Sequence, residues 1–413
     1  MHYYLHIPFC RQKCPYCKFA LTPVFDEFKK KRYIEYLKKE IREYFDSVIA
    51  KNETIQKGNS KESLISTGLL RASQWPKPDT IKTIYFGWGT PSVLLLDEVQ
   101  DILECFPFYN QEKQGKISRR PQIQDSALMT ENWESSIEIT FECNPEDINT
   151  EYITWLLDLG INRISLWVQS LNNTTLAAIH RSDESTIFSA LDCIKTSLES
   201  HKNSDISVNI DFILWLPHAQ VWQTLGDIKT LHRKYPFITH TSVYILEKWL
   251  YPKSWKSHTL DDSGIQEEYM NILEYFDSIW WNHYELSNWA HPGCESLHNQ
   301  AYWNHSDTRG FWLSAASYID RRRFSNSDSF SGYYKWQLIE DEMLTPEQIV
   351  LEDLMFWLRT SLWYNTDNPE LTLNEWKLQE FISSGYVIRE REKIKLTKTW
   401  IFLIDYIMSE LIS

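Results

Sequence analysis

Short apolar blocks recur along this chain, and most are followed by a segment with helical spacing. The N-terminal block is YYLHI, Tyr3–Ile7. After a cysteine-bearing loop comes a Lys- and Glu-rich stretch, Phe25–Phe45, with a helical pattern. The alternation then repeats, with IKTIYFGW before VLLLDEVQDILECF, SIEITFEC before NTEYITWLLDLG, and INRISLWVQ before NTTLAAIH. SVNIDFILWLP and HTSVYILE follow, with helices between them. Strand alternating with helix predicts βαβ units, and so an α/β fold built on a parallel sheet or barrel. Two polar, non-periodic stretches, 51–80 and 108–135, read as insertions or loops. From about Thr345 the rhythm changes. TPEQIVLEDLMFWLRTSL and LTLNEWKLQEFISSG read as helices and YVIREREKIKLT as a hairpin, which together predict a small α+β unit of winged-helix shape.

Composition narrows the class. A chain of 413 residues with 43% hydrophobic and 24% charged residues matches a globular protein whose core needs no covalent staples. No run of 18 uncharged apolar residues appears, so no membrane span is expected, and the N-terminus has no secretory pattern. Seven cysteines, an odd number, favour a reducing, cytosolic setting over a disulfide framework. The net charge of −14 argues against nucleic acid as the main ligand.

The chemistry concentrates near the N-terminus. Cys10, Cys14 and Cys17 have the spacing C-x3-C-x2-C within HIPFCRQKCPYCKF. Three thiolates on a tight loop suit a 4Fe–4S cube, leaving one iron open for a further ligand. The alternatives on spacing alone are a structural zinc site with a fourth ligand from elsewhere, or unpaired buried thiols.

The cysteine loop is one of several blocks, in order, that resemble radical S-adenosylmethionine (SAM) proteins. The others are IYFGWGTPSVL at 84–94, IEITFECNPEDI at 137–148, GINRISLWVQSLN at 160–172, VNIDFILWLP at 208–217 and HYELSNWAHPGCESLHNQAYW at 283–303. Within that family the chain resembles the branch related to oxygen-independent coproporphyrinogen III oxidase, and most of all its heme-chaperone members. The resemblance implies a partial (β/α) barrel of the TIM-like, radical SAM type over residues 1–240. It also implies an α+β extension over 241–340 and a C-terminal winged-helix-like domain over 345–413.

By position, the resemblance assigns Cys10, Cys14 and Cys17 to the 4Fe–4S cluster, with SAM on the fourth iron through its amino and carboxyl groups. GTPS at 89–92 resembles the family's glycine-rich turn at the methionine end, where a missing Cβ lets a ligand approach. The SAM set is then Tyr4, Tyr16, Trp88, Gly89, Thr90, Glu142, Gln169, Arg181 and Asp211, placed at strand ends where barrel sites collect. HNQAYW at 298–303 resembles a heme motif of the chaperone branch, with His298 as axial ligand and Cys294 as a weaker rival. A core histidine hydrogen-bonded among packed aromatics is the other reading of His298. Ala316 stands before Ser317 where many relatives have histidine, which puts a porphyrin or SAM contact there in doubt.

Oxidases of the branch carry an N-terminal extension and a further cysteine soon after the loop; here Lys18–Phe19 follow Cys17. The expectation is therefore a cytoplasmic heme chaperone, with heme, an unidentified acceptor protein and an electron donor as partners. Coproporphyrinogen oxidation and a catalytically inactive binding protein are the alternatives. In the family's radical chemistry, an electron from the reduced cluster cleaves SAM to a 5′-deoxyadenosyl radical, which barrel walls shield from water.

One feature conflicts with that chemistry. The chain has 19 tryptophans and 12 glycines, against roughly 29 glycines from ordinary usage at this length. Trp88, Trp167, Trp215 and Trp312 stand where the family has glycine, and Trp249, Trp280, Trp357 and Trp400 look similar, whereas Trp289 and Trp303 fall where an aromatic is expected. The pattern fits a gene whose UGA codons mean glycine but were translated as tryptophan. True tryptophans would make a degenerate family member, the reading tied to the inactive binding protein.

Overall fold

A computed structural model describes residues 1–17, 22–23, 26–56, 81–107, 109, 137–201, 206–247, 250–252, 255 and 261–412. Twelve strands form one sheet. In chain order they are β1 (His2–Ile7), β2 (Thr83–Gly89), β3 (Glu138–Cys143), β4 (Arg163–Gln169), β5 (Ser207–Leu214), β6 (Ile238–Ile245), β7 (Asn282–Glu285), β8 (Asn288–Ala290), β9 (Thr308–Phe311), β10 (Ala316–Ile319), β11 (Arg322–Asn326) and β12 (Leu338–Met343). Their spatial order is β12-β11-β10-β9-β1-β2-β3-β4-β5-β6-β8-β7. The seven from β9 through β6 run parallel, and both flanks continue antiparallel. Such a mixed sheet with a parallel centre is what alternating strand and helix demand.

The parallel strands are largely buried on both faces, yet the faces differ in kind. Leu5 and Ile7, Ile84 and Phe86, Ile139 and Phe141, Ile164 and Leu166, Val208 and Ile210 lie on the apolar side, each fully or nearly buried. The residues between them are His2, Tyr4 and His6, then Thr83 and Tyr85, Glu138, Thr140 and Glu142, Arg163 and Ser165, Asn209 and Asp211, His240 and Ser242. With a side-chain period of two, these polar residues share one face. Register carries them across neighbouring strands, with Tyr4 beside Tyr85, Tyr85 beside Thr140, Glu142 beside Ser165, and Asp211 beside Ser242. A buried polar face is costly unless its groups are paired, so it marks where function sits.

The first helix, Glu27–Gln56, starts at Asp26, whose carboxylate accepts from the backbone N–H of Phe28 at 3.1 Å and Lys29 at 3.3 Å. Ile34, Leu37, Ile41, Phe45 and Val48 form its buried stripe. The sequence predicts a helix ending at Phe45 and a loop from 51; the structure continues the helix to Gln56. Most of that predicted insertion, 57–80, and most of 108–135 lie outside the described residues.

Beyond the sheet, helices Pro346–Trp357, Glu375–Ser383 and Ile404–Leu411 pack on the antiparallel pair Val387–Glu390 and Lys393–Leu396. Leu354, Leu378, Phe381, Val387, Ile394, Ile407 and Leu411 make a core of their own there. No helix among the described residues is long and apolar enough to cross a membrane.

Candidate functional site

The cysteine loop leaves the end of β1. Pro8 breaks the strand, and the Tyr33 hydroxyl donates to the His6 carbonyl at 2.6 Å, which fixes the exit. Cys10 is buried, Cys14 and Cys17 are partly exposed, and none of the three is in a disulfide among the described residues. The Cys17 N–H donates to the Cys14 carbonyl at 3.0 Å, so the last two cysteines sit on one turn. Burial pushes the Cys10 thiol up to about 12, against which the Thr90 hydroxyl, donating to its sulfur at 3.2 Å, works. Burial raises the Tyr16 phenol well above its ordinary range, with the thiol of Cys14 adding to it. No group of three His, Cys, Asp or Glu among the described residues converges on a single metal ion. A cube held at three different irons does not require such convergence.

The turn after β2 meets this loop. Gly89 has φ +56°, and a Cβ there would lie 1.9 Å from the carbonyl oxygen of Ile7, so only glycine fits. Thr90 is held by Asn144, whose amide donates to its hydroxyl at 3.1 Å. Ser92 donates to Asp147 at 2.8 Å, and Arg11 of the cysteine loop pairs with the same carboxylate. Glu142, near the end of β3, accepts from the Tyr85 hydroxyl at 2.6 Å and from the Trp88 N–H at 2.8 Å. Its burial raises the carboxyl to about 8.

Arg181 is buried beside the cysteine loop, donating to the Trp167 carbonyl at 3.1 Å with Glu146 at 4.0 Å. Burial alone would lower its pKa, but Glu146 and the nearby thiols of Cys14 and Cys10 raise it overall. Gln169 closes β4 with φ +67°. Asp211 lies deeper, accepting from Ser165 at 3.0 Å and Asn209 at 2.6 Å, and burial raises its pKa. The Tyr4 hydroxyl, the Gln169 side-chain oxygen and the Asn144 side-chain oxygen are buried with no hydrogen-bond partner among the described residues. Three orphaned polar atoms, one within β1 and two at the ends of β3 and β4, are the condition in which a polar ligand repays its own desolvation.

A cavity of about 740 Å³ opens on the polar face. Tyr4, Trp88, Glu142 and His298 line it with His6, Tyr85, Tyr244, Tyr302 and Ala316. Gln169, Arg181, Asp211 and Tyr16 are not among its lining residues. The helix carrying the HNQAYW motif, Leu297–Trp303, is seated by Glu138, whose carboxylate accepts from the N–H groups of Leu297 at 3.1 Å and His298 at 3.0 Å. His298 Nδ1 lies 2.6 Å from the Thr83 hydroxyl and Nε2 3.0 Å from the Tyr302 hydroxyl. Burial holds its imidazole neutral, far below the ordinary histidine range. Its rival Cys294 sits in the preceding loop, where its carbonyl accepts from Arg163 at 2.9 Å.

Sequence reasoning did not single out Tyr85, Tyr244 or Tyr302 as cavity walls. The signal was present for Tyr85, which alternates with Thr83 on the polar face. Tyr302 lies inside the HNQAYW motif, one helical turn after His298.

A parallel sheet with a three-cysteine loop after its first strand is the architecture of the radical SAM fold. The structure superposes on coproporphyrinogen III oxidase from Escherichia coli, described as a radical SAM enzyme, with a TM-score of 0.71, 17% identity, and coverage of 100% of this chain and 90% of that one. That likeness shows the fold. No protein-family model matches the sequence. In sequence the chain is similar to the heme chaperone HemW of Lactococcus lactis, 26% identical over 95% of this chain and 92% of that protein. It is likewise similar to the heme chaperone HemW of Synechocystis, 26% identical over 86% of this chain and 77% of that protein. The coproporphyrinogen III oxidase of Helicobacter pylori is 28% identical over 55% of this chain and 38% of its own length. The resemblance read from the sequence motifs and these similarities point to one branch.

Proposed function

We propose that this chain is a cytoplasmic radical SAM protein that binds heme and hands it to acceptor proteins. The observation that carries the reading is similarity to a heme chaperone over 95% of this chain and 92% of that protein. Residues 1–240 form the radical SAM core, 241–340 the extension with the heme motif, and 345–413 the C-terminal winged-helix-like domain.

Cys10, Cys14 and Cys17 would hold a 4Fe–4S cluster, which when bound would supply a one-electron reductant and a site for the amino-acid end of SAM. Gly89 lets its turn pack directly on the Ile7 carbonyl at the start of the cysteine loop, and Thr90 donates to the Cys10 sulfur and so fixes its direction. The Tyr4 and Gln169 oxygens, without partners among the described residues, fit a ligand that brings its own hydrogen-bond partners. Arg181 places a positive charge beside Cys10 and partly offsets the burial that disfavours charge on its sulfur. His298 offers heme a neutral imidazole; ligation through Nε2 displaces the Tyr302 hydroxyl. The acceptor protein and the electron donor are not specified by this chemistry, and the acidic chain gives no reason to add nucleic acid.

The test is heme titration of anaerobically reconstituted protein, followed by transfer to an apo-acceptor and an assay for coproporphyrinogen. Stoichiometric heme uptake with coproporphyrinogen unconsumed is the expected result. Coproporphyrinogen consumption without heme uptake overturns the reading in favour of the oxidase.

A further inference from the structure

Fourteen non-glycine residues among those described have positive φ, and six are tryptophan: Trp88, Trp215, Trp222, Trp280, Trp312 and Trp336. None is phenylalanine or tyrosine, although the chain has 19 and 22 of those. Left-handed backbone is the preserve of glycine, with Asn, Asp and His next; a bulky aromatic there is an outlier. Tryptophan thus behaves in this backbone as glycine does, and unlike the other aromatics.

The helix ends show it directly. After helix Thr150–Asp158, Gly160 donates to Leu157 and Ile161 to Leu156; after Glu375–Ser383, Gly385 donates to Ile382 and Tyr386 to Phe381. Trp280 and Trp281 repeat this pattern on Asp277 and Phe276, and Trp336 and Gln337 on Tyr333 and Gly332. This is the left-handed stop that glycine normally fills. Two of the indoles gain little in return. Trp280 is 85% exposed and Trp222 47%. Trp312 is fully buried, but its ring centroid lies 3.8 Å from that of Tyr33 and 4.1 Å from that of Tyr333, closer than edge-to-face pairs prefer.

We infer that these six positions are glycine in the protein as its own cell makes it, encoded by UGA codons that the cell reads as glycine. Trp222 and Trp336, which the sequence motifs did not flag, join the set. Trp167 lies in β4 and Trp357 in a helix, neither with positive φ, so the backbone does not add to the case for them. Trp249 lies outside the described residues. Trp289, stacked on His283 at 4.5 Å, and Trp303, donating to Glu285 at 3.0 Å, are genuine tryptophans.

The test reads the six codons and sequences the corresponding peptides, by mass spectrometry, from protein purified from the source organism. TGA codons with glycine peptides are expected, with TGG at Trp289 and Trp303. TGG at the six positions, or tryptophan peptides there whatever the codon, overturn the inference. A second readout compares thermal melting of the chain as translated with a variant carrying glycine at all six; a higher midpoint for the variant is expected, and an equal or lower one contradicts it. A consequence for the site rests on the proposed function: Trp88→Gly should tighten SAM binding at least ten-fold in calorimetry. Loss of that effect with the codons as expected would count against the SAM reading alone.

Discussion

Glu142 is the residue where burial, hydrogen bonding and site meet. Folding raises its carboxyl from 4.5 to about 8, chiefly through burial, so the folded state prefers the protonated form. The stabilisation from this group is complete below about pH 4.5 and is lost as pH rises through about 8. Urea unfolding of cluster-free protein should therefore show stability falling between those limits, by at most about 1.4 kcal/mol per pH unit. In Glu142→Gln that slope should flatten; an unchanged slope would assign the titration elsewhere. At the cysteines the expectation is starker. Cys10→Ala, Cys14→Ala or Cys17→Ala should each reduce iron and sulfide in reconstituted protein several-fold, and the triple variant to background, as measured by metal and acid-labile sulfide analysis.

At the scale of elements, Glu40 ties the first helix to the far side of the sheet. Its buried carboxylate accepts from Arg309 at 2.7 Å, the Trp312 N–H at 2.9 Å, Asn326 at 3.1 Å and the Tyr333 hydroxyl. Glu40→Ala leaves the Arg309 guanidinium buried without its carboxylate and should cost about 3–5 kcal/mol in denaturant unfolding. A loss below about 1 kcal/mol would show that the pair adds little beyond its own desolvation. Nothing in the sequence marks Glu40, because the residues that use it lie some 270 positions away and one charged residue in a Lys- and Glu-rich helix looks like any other. The βαβ order was legible because strand and helix periods differ, and the C-terminal helices and hairpin because they are short and bounded by turn residues. The cysteine loop was legible from spacing. Tyr85 could have been read from its alternation with Thr83, but Tyr244 could not, since an aromatic on a polar face has the same local pattern as one in a core. The end of the first helix was missed because its last two turns are polar, and length alone carries them.

For the whole molecule, strain has to be weighed against marginal stability. The six tryptophans with positive φ cost about 1–2 kcal/mol each, so roughly 6–12 kcal/mol together. A domain has about 5–15 kcal/mol in total. The chain bearing all six tryptophans should therefore express poorly and melt early, which a thermal scan of the two forms can check.

The account depends on the three thiolates leaving one iron open to SAM at the ends of the parallel strands. Electron paramagnetic resonance of the anaerobically reconstituted, chemically reduced protein carrying Trp88→Gly, recorded with and without SAM, addresses this directly. A cluster signal whose g-values and line shape change on adding SAM, and which disappears when Cys10, Cys14 and Cys17 are all alanine, is the predicted result. A signal indifferent to saturating SAM, or one that survives loss of the three cysteines, would contradict it.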